Sequence, residues 1–198
     1  MDLKWLWDQN HRINDKTVEG DNVLYYRDNT DTCASVTVDG VDYHFFDGSN
    51  TPLEWVKNFI AIRTGLYGSA LGYDGTAKDL FEKMHDDMSS ARKNVFVGFS
   101  RGGAIAMMML IRYTEWCYRR KVKPRAELVS FEMPKAGGRR LYRRCKKLGF
   151  EHTRVVMQGD AVPKIVWWWC KPWTTKLITL KNSEKGLKNK HKNVGRYL

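Results

Sequence analysis

A serine becomes a useful nucleophile only when a base can take its proton and a donor can receive the charge that develops. Ser100 stands in Val95–Gly103, VFVGFSRGG, with Gly98 two residues before it and Gly102 two residues after. The run before it is made of β-formers, and the run after it, Ala104–Ile111, is wholly apolar. A serine at a sharp strand-to-helix turn is pushed into a strained, exposed position. Glycine is needed beside it because side chains there would meet neighbouring backbone. The turn sets Ser100 at the positive end of a helix and leaves the N–H of Arg101 to donate to an oxyanion. The spacing reads as an acyl-transfer site. The plainer reading is a glycine-rich turn of an ordinary α/β protein.

The serine needs a base, and the base needs an orienting acid. For a serine on this kind of turn the chain order is Ser, then Asp or Glu, then His. Downstream of Ser100 the histidines are His152 and His191, and the acids are Glu115, Glu127, Glu132, Glu151, Asp160 and Glu184. The stretch RVVMQGDAVPKI places Asp160 in a Gly-Asp turn just beyond a strand, the edge at which open α/β sheets present functional groups. His191 is the only histidine after Asp160. The order therefore selects Ser100 as nucleophile, Asp160 as orienting acid and His191 as base. Taken singly, Asp160 also reads as a turn-former and His191 as a solvated residue of a lysine-rich tail. No Cys-x-x-Cys or His-x-x-x-His pair suggests zinc. Acyl transfer requires no cofactor, and neither metal nor cofactor is expected.

These residues have to be positioned by alternating strands and helices. CASVTV and VDYHFF flank Asp39-Gly40 and read as a hairpin. Thr51, Pro52 and Glu54 carry the start signals of a helix running to about residue 63. GLYGSALGYDG, Gly65–Gly75, reads as a glycine-rich loop. Helices are expected over 76–91, 102–121 and 138–148, and strands over 94–99, 126–131, 153–158 and 175–180. The alternation implies a single compact α/β domain over 1–198. Its sheet is mostly parallel, with helices on both faces and the hairpin as an antiparallel edge.

The chain of 198 residues carries a net charge of +12. From Lys135 to Leu198 there are 17 Lys and Arg against Glu151, Asp160 and Glu184, so the excess belongs to this last third. Such a patch attracts polyanions, either anionic lipid headgroups or nucleic acid, or it serves only as a solvated face. Trp167, Trp168, Trp169 and Trp173 lie beside lysines just before His191. Rings and cations so placed suit a membrane interface, and they suit equally the lining of an acyl pocket. Met1–Asn10 carries acids and no long apolar run, and Cys33, Cys117, Cys145 and Cys170 read as free thiols. Both features point to a cytoplasmic protein without a transmembrane segment.

Four blocks, in order, resemble the class 3 lipase family, α/β-hydrolases that cleave acyl esters. They are FFDGSNTPLEWVKNF (Phe45–Phe59), VFVGFSRGGAIA around Ser100, SFEMPKAGG (Ser130–Gly138) and RVVMQGDAVPKI (Arg154–Ile165). The resemblance implies Ser100, Asp160 and His191 as the triad. It also implies Ser49 as an oxyanion-hole residue beside the Arg101 N–H, and places the 51–63 helix where the family carries a lid. The implied substrate is a lipid ester, with a phospholipid acyl chain among the candidates. Asp47 stands where the family has Arg, Phe99 where it has His, and Glu132 where it has Gly. Two other functions compete with an enzyme: an inactive hydrolase fold that binds a partner, and a basic protein that binds nucleic acid.

Overall fold

The computed structural model describes residues 1–27, 31–48, 66–69, 71–160, 162, 174–181 and 194–198. Seven strands form one sheet in chain order: β1 (Asp21–Arg27), β2 (Thr32–Val38), β3 (Val41–Phe46), β4 (Lys93–Phe99), β5 (Ala126–Phe131), β6 (Glu151–Met157) and β7 (Lys176–Leu180). β1, β2 and β3 pair antiparallel, and every later neighbour pairs parallel. The β2–β3 turn places both Asp39 and Gly40 at positive φ, the geometry a two-residue hairpin turn demands.

Four α-helices are described: α1 (Leu3–His11), α2 (Leu71–Met84), α3 (Arg101–Arg119) and α4 (Arg139–Leu148). α3 begins at the serine turn. Its run Ala104–Ile111 is sealed from solvent and packs with Phe96, Leu128 and Met133 on one face of the sheet. α4 is strongly amphipathic: Leu141, Tyr142, Cys145 and Leu148 face that core. It ends at Gly149, whose left-handed backbone (φ 72°) closes the last turn through its N–H to Cys145 O. The opposite face of the sheet is covered by α1. Leu6 and Trp7 pack there with Val97, Phe131 and Val155, and with Val194 from the end of the chain.

Two expectations change. The segment read as a loop from Gly65 to Gly75 already enters α2 at Leu71, five residues before the predicted start. Nothing near Gly75 requires a glycine, so it costs that helix propensity alone, while Tyr73, Ala77 and Leu80 bury one face of it. Secondly, α1 and β1 carry no prediction, although Asp2 caps α1 by accepting hydrogen bonds from the N–H groups of Lys4 and Trp5 at 2.9 and 3.1 Å. The predicted 51–63 helix lies outside the described residues.

The register aligns the carboxyl ends of four strands. Gly98 stands opposite Phe46 on one side and Ser130 on the other, and Phe131 stands opposite Val155. Beyond those ends come Asp47–Gly48, Ser100, Glu132 and Asp160, so one edge of the sheet gathers the chemistry. Helix α3 holds the edge together from below. Ile105→Ala, at a fully buried position of α3, should therefore cost about 2–5 kcal/mol in a denaturant-unfolding measurement.

Candidate active site

Ser100 has φ 52° and ψ −122°, a conformation that side-chain-bearing residues rarely adopt. The strain is held by its surroundings. Its N–H donates to Phe131 O at 2.8 Å, and its own carbonyl accepts from Gly103 N–H at 3.1 Å. A β-carbon on Gly98 would overlap the backbone of Gly102, and one on Gly102 would overlap the carbonyl oxygens of Phe46 and Asp47. Both glycines are thus required by backbone packed against backbone. The segment after β3 passes directly over the bend. A β-carbon on Gly48 would stand 3.1 Å from Phe99 O and 3.8 Å from Ser100 Cβ. Ser49 comes next after Gly48 and lies outside the described residues.

Arg101 opens α3, where an amide points out of the helix end and not into its ladder. Its guanidinium turns away from the bend. It pairs with the buried Asp31 and donates to Thr76 Oγ1 at 3.3 Å, while Thr76 Oγ1 donates to Asp31 at 3.3 Å. The side chain thereby ties the turn to Asp31, just before β2, and to α2.

Asp160 lies beyond β6 and is 3% exposed. Its N–H donates to Met157 O at 3.1 Å, and its Oδ1 accepts from Val162 N–H at 3.0 Å. Glu132, just past β5 with φ 50°, is fully buried next to it. Its Oε1 accepts from Met157 N–H, and its N–H donates to Val155 O at 2.9 Å. Burial, reinforced by Asp160, pushes the Glu132 carboxyl up to about 10; the Met157 N–H and Arg154 offset this only in part. Glu132 stands where the family that the chain resembles has glycine. That it is sealed against Asp160 is visible only in the fold.

His191 lies outside the described residues, as do Trp167, Trp168, Trp169 and Trp173. The chain just beyond His191 is described. Val194 is fully buried, and Gly195 sits against the Trp7 indole so closely that a β-carbon would overlap the ring. Trp7 packs edge-on against Phe99 and Phe131 with centroids 5.1 and 5.3 Å away. Phe99 is the residue before Ser100. The described end of the chain is thus anchored, through Trp7, beside the strand leading into the bend.

Of the other described histidines, His152 and His44 are committed away from the bend. His152 is fully buried, with Nε2 2.7 Å from Ser130 Oγ. It pairs with Leu128 and hence stands level with Phe96, about 13 Å along the strands from the level of Ser100. His44 bridges Ser35 Oγ (2.7 Å) and Asn94 Oδ1 (2.9 Å), and burial lowers its pKa. His11 is nearer the edge: its ring lies 4.1 Å from Trp7 and 5.5 Å from Phe99 between centroids, and its Nδ1 is 3.0 Å from Trp7 O. Together with Asn14, whose side-chain amide donates to Asp47 Oδ1 at 3.2 Å, it makes α1 and the turn after it a wall of this edge. Sequence reading missed that wall. The signal for it was an Asp cap followed by Leu3, Leu6 and Trp7.

No cluster of His, Cys, Asp or Glu suited to a metal occurs among the described residues. Cys33, Cys117 and Cys145 are buried free thiols. No helix among the described residues is long and apolar enough to cross a membrane.

A family model described as lipase (class 3) matches residues 43–168. Solved structures with similar folds include the Rhizomucor miehei triacylglyceride lipase (TM-score 0.60, 13% identity, covering 82% of this chain and 73% of that one). A lipase from Rhizopus microsporus var. chinensis gives TM-score 0.60 at 15% identity, covering 88% and 69%. The mono- and diacylglycerol lipase from Aspergillus oryzae gives 0.62 at 19%, covering 82% and 72%. Among curated proteins none matches.

The bend sets a direct test. Gly102→Ala forces a methyl group into the β3 loop, which should cost about 1–3 kcal/mol by urea unfolding and slow fluorophosphonate labelling of Ser100. Labelling at the wild-type rate would show that the close approach of the β3 loop is not needed.

Proposed function

The chain belongs to the class 3 lipase family, with the α/β-hydrolase fold, and from that premise we propose that it hydrolyses the acyl esters of lipids through a Ser100–Asp160–His191 triad. The observation that carries this reading is the strained, positive-φ backbone of Ser100, wedged between Gly98 and Gly102 at the carboxyl edge of the sheet. A turn that served only to join strand to helix would have no use for that strain.

His191 takes the proton from Ser100 Oγ as the oxygen attacks the ester carbonyl. Asp160 holds the imidazole in the tautomer that accepts at the serine and balances its charge once protonated. The Arg101 N–H, at the positive end of α3, and Ser49, next in the chain after Gly48, receive the oxyanion. Removing one such donor typically costs about 10²–10³ in rate. His191 then protonates the leaving alcohol, and water releases the acyl group by the same route reversed. The burial of Val194 against Trp7 and its neighbours supports the approach of His191. The passage of Gly48 over Ser100 supports the role given to Ser49.

The substrate is argued from charge. α4 contains no acid, and Arg139, Arg140, Arg143, Lys146 and Lys147 are exposed along it. A row of cations on the face of a lipid-hydrolysing fold favours contact with an anionic bilayer. Trp167, Trp168, Trp169 and Trp173 would supply rings at headgroup depth or line the acyl pocket. Phospholipid esters at an anionic surface are therefore preferred to dispersed acylglycerol.

Short p-nitrophenyl esters, triglyceride emulsion, and zwitterionic and anionic phospholipid vesicles test this. Wild type should turn over the esters, with anionic vesicles favoured at low salt. Ser100→Ala should lose roughly 10³-fold or more. A wild-type protein that neither labels with a fluorophosphonate nor cleaves any of these would leave an inactive hydrolase fold as the reading.

A further inference from the structure

Two carboxyl groups, Glu132 and Asp160, are closed off together at the end of β5 and the turn after β6. Glu132 is 0% exposed and Asp160 3%. Oε1 of Glu132 is satisfied by Met157 N–H, but its Oε2 is buried with no donor to accept from among the described residues. The nearby cation does not resolve this. Arg154 makes no ion pair with Glu132 among the described residues: its guanidinium donates to Met133 O at 3.0 Å, and its Nε is itself buried without a partner. Among the described residues, the other titratable groups around Glu132 are Asp160 and Arg154, and Tyr142 of α4 faces Arg154. Two adjacent carboxyl groups away from water resist ionising together, and Glu132 has no cation bound to it among the described residues to offset that cost. If Glu132 carries no proton, Oε2 stays orphaned. If it carries one, Oε2 becomes a donor, and Asp160 is the side chain with which the Glu132 carboxyl hydrogen-bonds.

We propose that Glu132 is a positioning residue held as a neutral carboxylic acid, donating from Oε2 to the Asp160 carboxylate and so fixing the charge and orientation of the acid that steadies the base. The inference rests on the role given above to Asp160. It adds a residue where the family pattern has glycine, so this donor belongs to this chain. The donated hydrogen bond stabilises Asp160 as an anion and makes it less basic, which lets it hold an imidazolium without taking the proton. The arrangement also has a pH limit. The proton on Glu132 is held up to about 10, against 4.5 for an ordinary glutamate. A raised acid pKa in the folded state contributes stability that is complete below 4.5, falls as pH rises, and is gone once pH passes about 10.

The test uses Glu132→Gln, which keeps a donor and cannot titrate, and Glu132→Ala, which removes the donor. Infrared spectra of the intact protein should show a protonated carboxyl band at neutral pH that persists well above the ordinary glutamate range and is missing in Glu132→Gln. Absence of that band in wild type overturns the proposal without reference to activity. In thermal unfolding, Glu132→Gln should gain on wild type steadily as pH rises from acid to alkaline; a constant difference overturns it. In kcat/KM against pH on a short ester, Glu132→Gln should stay near wild type at neutral pH and extend the alkaline limb. Glu132→Ala should fall about tenfold to a hundredfold, the loss of one hydrogen bond to a charged group. Superposed profiles for wild type and both variants would contradict the positioning role. Failure of wild type to cleave or label would instead count against the hydrolase reading, while the infrared band still decides where the proton lies.

Discussion

One backbone conformation organises this molecule: a serine at φ 52° between the end of a parallel strand and the start of a buried helix. Such a residue costs about 1–3 kcal/mol and persists only where its neighbours leave no alternative. Here they do so by contact. Gly98 lies on the backbone of Gly102, Gly102 lies under the carbonyls of Phe46 and Asp47, and Gly48 passes over Phe99 and Ser100. The strain is thus held jointly by β3, β4 and α3. The hydrogen bond from Ser100 N–H to Phe131 O brings in β5 as well. Movement of any of these elements would let the bend relax.

The sheet does the remaining positioning. Parallel strands with a common register place their carboxyl ends at one level, so each strand delivers one group to the same edge. β3 delivers the segment ending in Gly48, β4 delivers Ser100, β5 Glu132 and β6 Asp160. α1 matters for a different reason. Trp7 sits between Phe99 at the bend and Gly195 near the end of the chain, and therefore connects the two ends of the sequence across one face of the sheet.

Much of this was legible in the residues. Glycine spacing around Ser100, the Gly-Asp turn at Asp160 and the alternation of β-rich and helical runs are local signals, and local signals survive translation into structure. The apolar run Ala104–Ile111 announced its own burial. Three features were not legible, each for a physical reason. α2 begins inside a glycine-rich segment because burial of Tyr73, Ala77 and Leu80 outweighs the propensity cost of its glycines. α1 gives a weak pattern because it is short, with five polar residues among nine; its cap and four apolar residues matter only once there is a sheet to cover. The closeness of Glu132 to Asp160 depends on which strands are neighbours, and no periodicity encodes that. The basic excess of the last third was plain in the sequence. The fold adds that, among the described residues, a good part of it lies along the exposed side of α4.

The central claim is that the strained serine and a histidine from the far end of the chain form one reacting pair. A structure of the protein after covalent reaction with a fluorophosphonate tests it most directly. The account predicts phosphorus bonded to Ser100 Oγ and the imidazole of His191 within hydrogen-bond distance of that oxygen. It also predicts a phosphoryl oxygen accepting from the Arg101 N–H. An adduct on another side chain, or an adduct on Ser100 with the His191 imidazole turned away from it, would contradict the account.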